Sequence, residues 1–125
     1  MPKAVILFGH GSRDPAWRRA IEAVAARAAD LAPDALVRCA YLELDRPDLA
    51  AAVAEVAGLG ASHIVVVPMF LGTGRHARED LPALVEALRS AHPRVHFELQ
   101  SPVGEQPLVV DLLARIATSG DASNP

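Results

Sequence analysis

Residues 4–15 read AVILFGHGSRDP, and this stretch decides the fold. Ala4 to Phe8 is a short, continuous apolar run, the pattern of a parallel strand covered on both faces. The polar loop GHGSRDP follows at once. Trp17, Ile21, Val24, Ala28 and Leu31 then recur at alternating steps of four and three, which makes one apolar helix face. Asp14 and Pro15 suit the cap and first turn of that helix, and Pro33 and Asp34 stop it. Strand, polar loop and amphipathic helix form one unit.

The unit recurs along the chain. Leu36 to Leu44 (LVRCAYLEL) reads as a second strand. Arg46, Pro47 and Asp48 lead into a helix with Leu49, Val53, Val56 and Leu59 on one face, and Gly58 and Gly60 supply its stop. Ile64 to Val67 (IVVV) is a third, β-branched strand. The loop MFLGTGRHARED carries the chain to a third helix with Leu81, Leu84, Val85 and Leu88 on one face and Pro82 in its first turn. Val95, Phe97 and Leu99 alternate in a fourth strand, SPVGEQP follows, and a last helix spans about Leu108 to Ala117. Strands alternating with helices imply an α/β fold, a four-stranded parallel sheet flanked by helices. The expected domain is residues 1–118, with a disordered tail over 119–125.

Composition agrees. A chain of 125 residues with 51% hydrophobic content is one domain able to bury a core, built mostly from Ala, Val and Leu because aromatics make up only 4%. A formal net charge of −3 argues against a general nucleic-acid binder. The single cysteine, Cys39, permits no internal disulfide, fits a reducing cytoplasm and reads as a buried core thiol. The N-terminal run lacks the features of a signal peptide, and no segment approaches the roughly 20 apolar residues of a membrane span.

In a parallel sheet, the loops that lead from strand to helix share one edge, the carboxyl edge, where ligands bind. His10 follows strand one, Glu43 ends strand two, His76 lies in the loop after strand three, and Gly104 and Glu105 follow strand four. His63, His92 and His96 belong at or near the opposite edge and read as structural or solvated. Two imidazoles and a carboxylate with an open position suit a transient or catalytic first-row metal, and the same groups carry protons near neutral pH. Arg13, Arg46, Arg75 and Arg78 add positive charge at this edge, suited to a polycarboxylate ligand. In the third loop, Gly72, Thr73 and Gly74 join them as candidate substrate contacts; the glycines serve a turn, the approach of a flat ligand or loop movement. Trp17 reads as core or subunit interface. No P-loop, GxGxxG or GxSxG motif is present. His10-Gly11 faintly resembles the histidine phosphatases, but those place an arginine directly before the histidine, and Gly9 stands there.

GHGSRDP, YLELDRP, VVPMFLGTGRHAREDLP and SPVGEQP together resemble the short-form (class II) sirohydrochlorin chelatases, over about Lys3 to Ile116. The resemblance implies a flavodoxin-like chelatase half-domain that acts as a homodimer, with its metal-site histidines on His10 and His76 and its site glutamate on Glu43. It implies insertion of Co²⁺, Fe²⁺ or Ni²⁺ into sirohydrochlorin with loss of two ring protons, in cobalamin or sirohaem biosynthesis, without an organic cofactor. A non-catalytic metal or tetrapyrrole carrier would use the same pocket; turnover separates the two.

Overall fold

The computed structural model describes residues 3–72 and 74–119; the side chains of residues 75–77 lie outside the description. Among the described residues, four strands alternate with four helices: β1 (Lys3–Gly9), α1 (Arg18–Leu31), β2 (Leu36–Tyr41), α2 (Leu49–Gly58), β3 (His63–Pro68), α3 (Arg75–Ala91), β4 (His96–Leu99) and α4 (Pro107–Ser119). Single 3-10 turns at Pro15–Trp17 and Val103–Glu105 precede α1 and α4. The strands pair in parallel in the order β2-β1-β3-β4. This is the expected α/β sheet, and its order adds a point the chain order alone does not contain. The chain leaves β1 for β2 on one side, then returns past it to β3 on the other. The topological switch therefore lies between β1 and β3, where a doubly wound sheet opens a crevice at its carboxyl edge.

The two faces of the sheet are unequally covered. Ala4, Ile6, Phe8, Ile64, Val66 and Phe97 point into the main core and meet Leu49, Val53 and Val56 of α2 and Leu81, Val85 and Leu88 of α3. Burying a side chain of this size contributes about 1.5–3 kcal/mol. Asp48 caps α2 by accepting from the Ala51 amide at 2.8 Å, and Gly60, at φ 100°, ends the turn beyond it. On the other face Leu7, Tyr41 and Ile21 form a smaller buried cluster, with Val5, Cys39, Val67 and Met69 partly covered.

Four expectations change here. Of the α1 stripe only Ile21 is buried; Leu31 is 70% exposed, because the α1 face of the sheet has a second, smaller core. β2 ends at Tyr41 rather than Leu44, because the backbone turns at Leu44 with φ 67° and the Tyr41 amide bonds to the Pro47 carbonyl. α3 begins at Arg75, so Pro82 lies inside the helix rather than in its first turn. The polar run RHARED carries no apolar periodicity, and this conceals the start that the bond from the Arg78 amide to the Gly74 carbonyl reveals. Cys39 is half-buried, at the rim of the smaller core rather than within it. The proposed boundary at 118 falls one residue before the end of α4, and residues 120–125 of the expected tail lie outside the described residues.

Candidate functional site

The loops beyond the carboxyl ends of the strands are laced together by backbone hydrogen bonds. Phe8 and Gly9 stand level with Ala40 and Tyr41 of β2, and Phe8 with Pro68 of β3. Beyond the strands proper, the Leu42 and Glu43 amides donate to the Gly9 and His10 carbonyls, at 2.9 and 3.1 Å, and the Met69 amide donates to Phe8 at 2.8 Å. The approach between the first two loops needs Gly11. Its φ is 101°, and a Cβ there would overlap the Glu43 carbonyl oxygen and lie 2.8 Å from its carbon. Gly104 plays the same part on the other side: a Cβ would overlap the Leu71 carbonyl, and the Gly104 amide donates to Phe70 at 2.9 Å.

Asp45 braces this edge and is the residue that sequence reasoning missed. Its Oδ2 accepts from the Ser12 amide at 2.9 Å, its Oδ1 lies 3.5 Å from Arg18 Nη1, and its side chain is only 10% exposed. Ser12 Oγ accepts from the Asp14 amide, and Asp14 Oδ1 from the Ala16 amide, so the loop carrying His10 is tied at three successive points. The available signal was a polar cluster, LDRPD, directly after an apolar strand.

On this scaffold the structure brings His10 and Glu43 together. His10 Nε2 lies 3.7 Å from Glu43 Oε1, and both side chains are more than half exposed. The imidazole meets the edge of Phe70, centroids 6.1 Å apart, and Phe70 itself is buried in the main core. Phe70 was not singled out from sequence; it fixes one wall beside His10. His76 is the second residue of α3, on the chain that leaves β3 across the switch point, but its side chain and that of Arg75 lie outside the described residues, as does Thr73. Among the described residues, no three His, Cys, Asp or Glu side chains are already gathered closely enough to hold a metal ion.

Arg13, Arg46 and Arg78 are exposed. Gly72 and Gly74 are exposed too, neither has a left-handed backbone, and a Cβ on either would meet nothing within 4 Å. A turn therefore does not require these glycines, and the openness of the loop is what they supply. Trp17 is not core: it is 39% exposed, packs edge-on against Tyr41 and helps line a cleft of about 240 Å³ with Gly9, Ala20, Ile21, Val24 and Met69. Burial pushes the Tyr41 phenol up to about 12, with the neighbouring Cys39 and Glu22 adding to it, and burial also raises the Cys39 thiol. Neither group is set up to lose a proton at neutral pH. His63 and His96 meet each other at the amino edge, as expected, and His92 packs on Phe97.

Comparison with known proteins agrees with this fold. A family model described as CbiX matches residues 4–119. The sirohydrochlorin cobaltochelatase of Priestia megaterium is 29% identical over 120 residues, 95% of this chain and 39% of that protein. The enzyme of the same name from Methanopyrus kandleri is 38% identical over 82 residues, 66% of this chain and 57% of its own length. The chain thus spans less than two thirds of either relative. Among solved structures, a CbiX protein from Marinobacter aquaeolei VT8 superposes with a TM-score of 0.81 at 33% identity, covering 94% of this chain and 96% of that one. The sirohydrochlorin chelatase SirB of Bacillus subtilis subspecies spizizenii, solved in complex with cobalt, gives 0.79 at 26% identity, covering 96% of this chain and 51% of SirB.

Proposed function

The chain belongs to the CbiX family, and from that premise we propose that it is a sirohydrochlorin chelatase, inserting one divalent metal, Co²⁺, Fe²⁺ or Ni²⁺, into the tetrapyrrole ring. The observation that carries the reading is the pairing of His10 with Glu43 on the braced loops after β1 and β2, beside the switch point, with His76 opening the helix that leaves β3. The names of the relatives, sirohydrochlorin cobaltochelatase and ferrochelatase, supply the substrate and both metals.

The chemistry suits these residues. As M²⁺ enters, the two inner N–H protons of the ring must leave. Imidazole as a residue type takes a proton near neutral pH or donates a lone pair to a first-row ion. His10 and His76 take these parts, and Glu43, 3.7 Å from His10, assists as a ligand or passes protons outward. Arg13, Arg46, Arg75 and Arg78 receive the ring's carboxylates, and the open loop at Gly72, Thr73 and Gly74 leaves space for its flat face. Residues 1–118 serve as the single chelatase domain. The scheme needs no organic cofactor, and the single cysteine fits work in the cytoplasm.

A second copy of the chain completes the proposal. None of the described α4 residues is buried, and Leu108, Val110, Leu112, Leu113 and Ile116 are between 40% and 81% exposed. An apolar helix left this bare marks an association surface. SirB, of which this chain covers 51%, has the length for two such units in one chain, and a homodimer would match it.

The test is the absorption spectrum of sirohydrochlorin with Co²⁺ or Fe²⁺ under anaerobic conditions, with catalytic amounts of protein. Many product equivalents per chain are expected, with the rate lost in His10→Ala and in His76→Ala and reduced less in Glu43→Ala. A folded His10→Ala variant working at the wild-type rate would overturn the assignment. Product stopping at about one equivalent would make the protein a carrier.

A further inference from the structure

The amino edge of the sheet brings two imidazoles and a carboxylate near one another, though not yet close enough to hold an ion. In the parallel register of β3 and β4, His63 stands opposite His96 and Val65 opposite Glu98. Side chains alternate along a strand, so His63, His96 and Glu98 all project from one face of the sheet. The two imidazoles are neighbours, centroids 4.9 Å apart at 61°. His63 Nε2 lies 4.0 Å from Glu98 Oε1. That nitrogen has no solvent access and no hydrogen-bond partner. A covered ring nitrogen left unpaired beside a carboxylate is a polar group short of a ligand or a proton.

We propose that His63, His96 and Glu98 form a second cation site, for a borderline divalent ion of the cobalt-to-zinc series, separate from the carboxyl edge. Imidazole and carboxylate donors are the set such ions select. Two ligands each about 2.0–2.2 Å from one ion stand about 3.3 Å apart, so the present 4.0 Å must close by less than 1 Å. Glu98 is half exposed and free to make that move. The histidines need not move far, because the His96 amide donates to the Ser62 carbonyl at 2.9 Å and holds the two strand starts together. Water fills the remaining positions. Lys3, opposite His63 on β1, is the opposing charge, and its exposed side chain can extend away from the ion. β3 has six residues, which at about 3.3 Å each put this site roughly 20 Å from the loops of the reaction centre.

The experiment is a calorimetric titration of the full chain with Co²⁺, and separately Zn²⁺, at neutral pH. A His10→Ala/His76→Ala protein serves as the background, so that the carboxyl edge does not contribute. One ion per chain is expected in that background. Adding His63→Gln and His96→Gln abolishes it, and adding Glu98→Gln alone weakens it at least tenfold, with circular dichroism unchanged. In otherwise wild-type protein, His63→Gln/His96→Gln lowers the stoichiometry by one. No ion bound by the background protein, or binding that survives loss of both His63 and His96, would overturn the proposal and leave the chelatase reading untouched. A simple His63–Glu98 ion pair gives the first of these results.

Discussion

Replacing Gly11 by alanine tests whether the close approach of the first two loops holds the reaction centre in shape. The new Cβ would lie 2.8 Å from the Glu43 carbonyl carbon and overlap its oxygen. Carbon atoms pack at about 3.5–4.0 Å and the overlapped oxygen needs still more room, so the loops must part by at least about 1 Å. The bond from the Glu43 amide to the His10 carbonyl, 3.1 Å long, then leaves hydrogen-bonding range, costing about 0.5–1.5 kcal/mol. Holding alanine at φ 101° costs about 1–2 kcal/mol more. The sum, about 1.5–3.5 kcal/mol, lowers Tm by roughly 6–14 °C at about 4 °C per kcal/mol. His10 and Glu43 sit on the two displaced loops, and a misplacement of about 1 Å can reduce a rate about 100-fold. Thermal unfolding followed by circular dichroism reads the first effect, and initial rates of metal insertion read the second. Gly58→Ala is the control: a Cβ there meets nothing within 4 Å at the end of α2, so it stabilises by up to about 1 kcal/mol. A Gly11→Ala protein melting within about 2 °C of wild type, at an unchanged rate, would refute the reasoning.

Asp45→Ala removes the acceptor for the Ser12 amide and the partner of Arg18. Urea unfolding should show a loss of about 1.5–3 kcal/mol, and a loss below about 0.5 kcal/mol would mean that Asp45 does not brace the loop. The Tyr41 phenol stays protonated up to about 12 in the folded chain, against 10.0 for the free group. The unfolded chain therefore loses this proton first, and stability falls as pH rises from 10 to about 12. Tyr41→Phe should flatten the decline of the urea midpoint across that window, and an unchanged slope would exclude Tyr41 as its source. Leu112→Glu with Ile116→Glu places charge on the bare face of α4. Sedimentation should show wild type at twice the chain mass and the variant as monomer, and a monomeric wild type would remove α4 as an interface.

The units, the parallel sheet and the edge that carries His10, Glu43 and His76 were readable from local pattern. Buried parallel strands such as AVILF and IVVV need continuous apolar runs, and chain direction alone sends every strand-to-helix loop to one edge. Glycine at 11 and 104 was visible as a letter, but its necessity rests on carbonyls of Glu43 and Leu71, far away in the chain. Asp45 has no periodic signal, because its role depends on a backbone reversal at Leu44 and on an amide 33 residues earlier. The apolar stripe of α1 was legible and misleading in one respect: periodicity marks a face that seeks burial, and here only Ile21 of it is buried. Strand order, the crevice between β1 and β3, and the meeting of His63 with His96 were decided only when the strands paired, since each depends on which strands become neighbours.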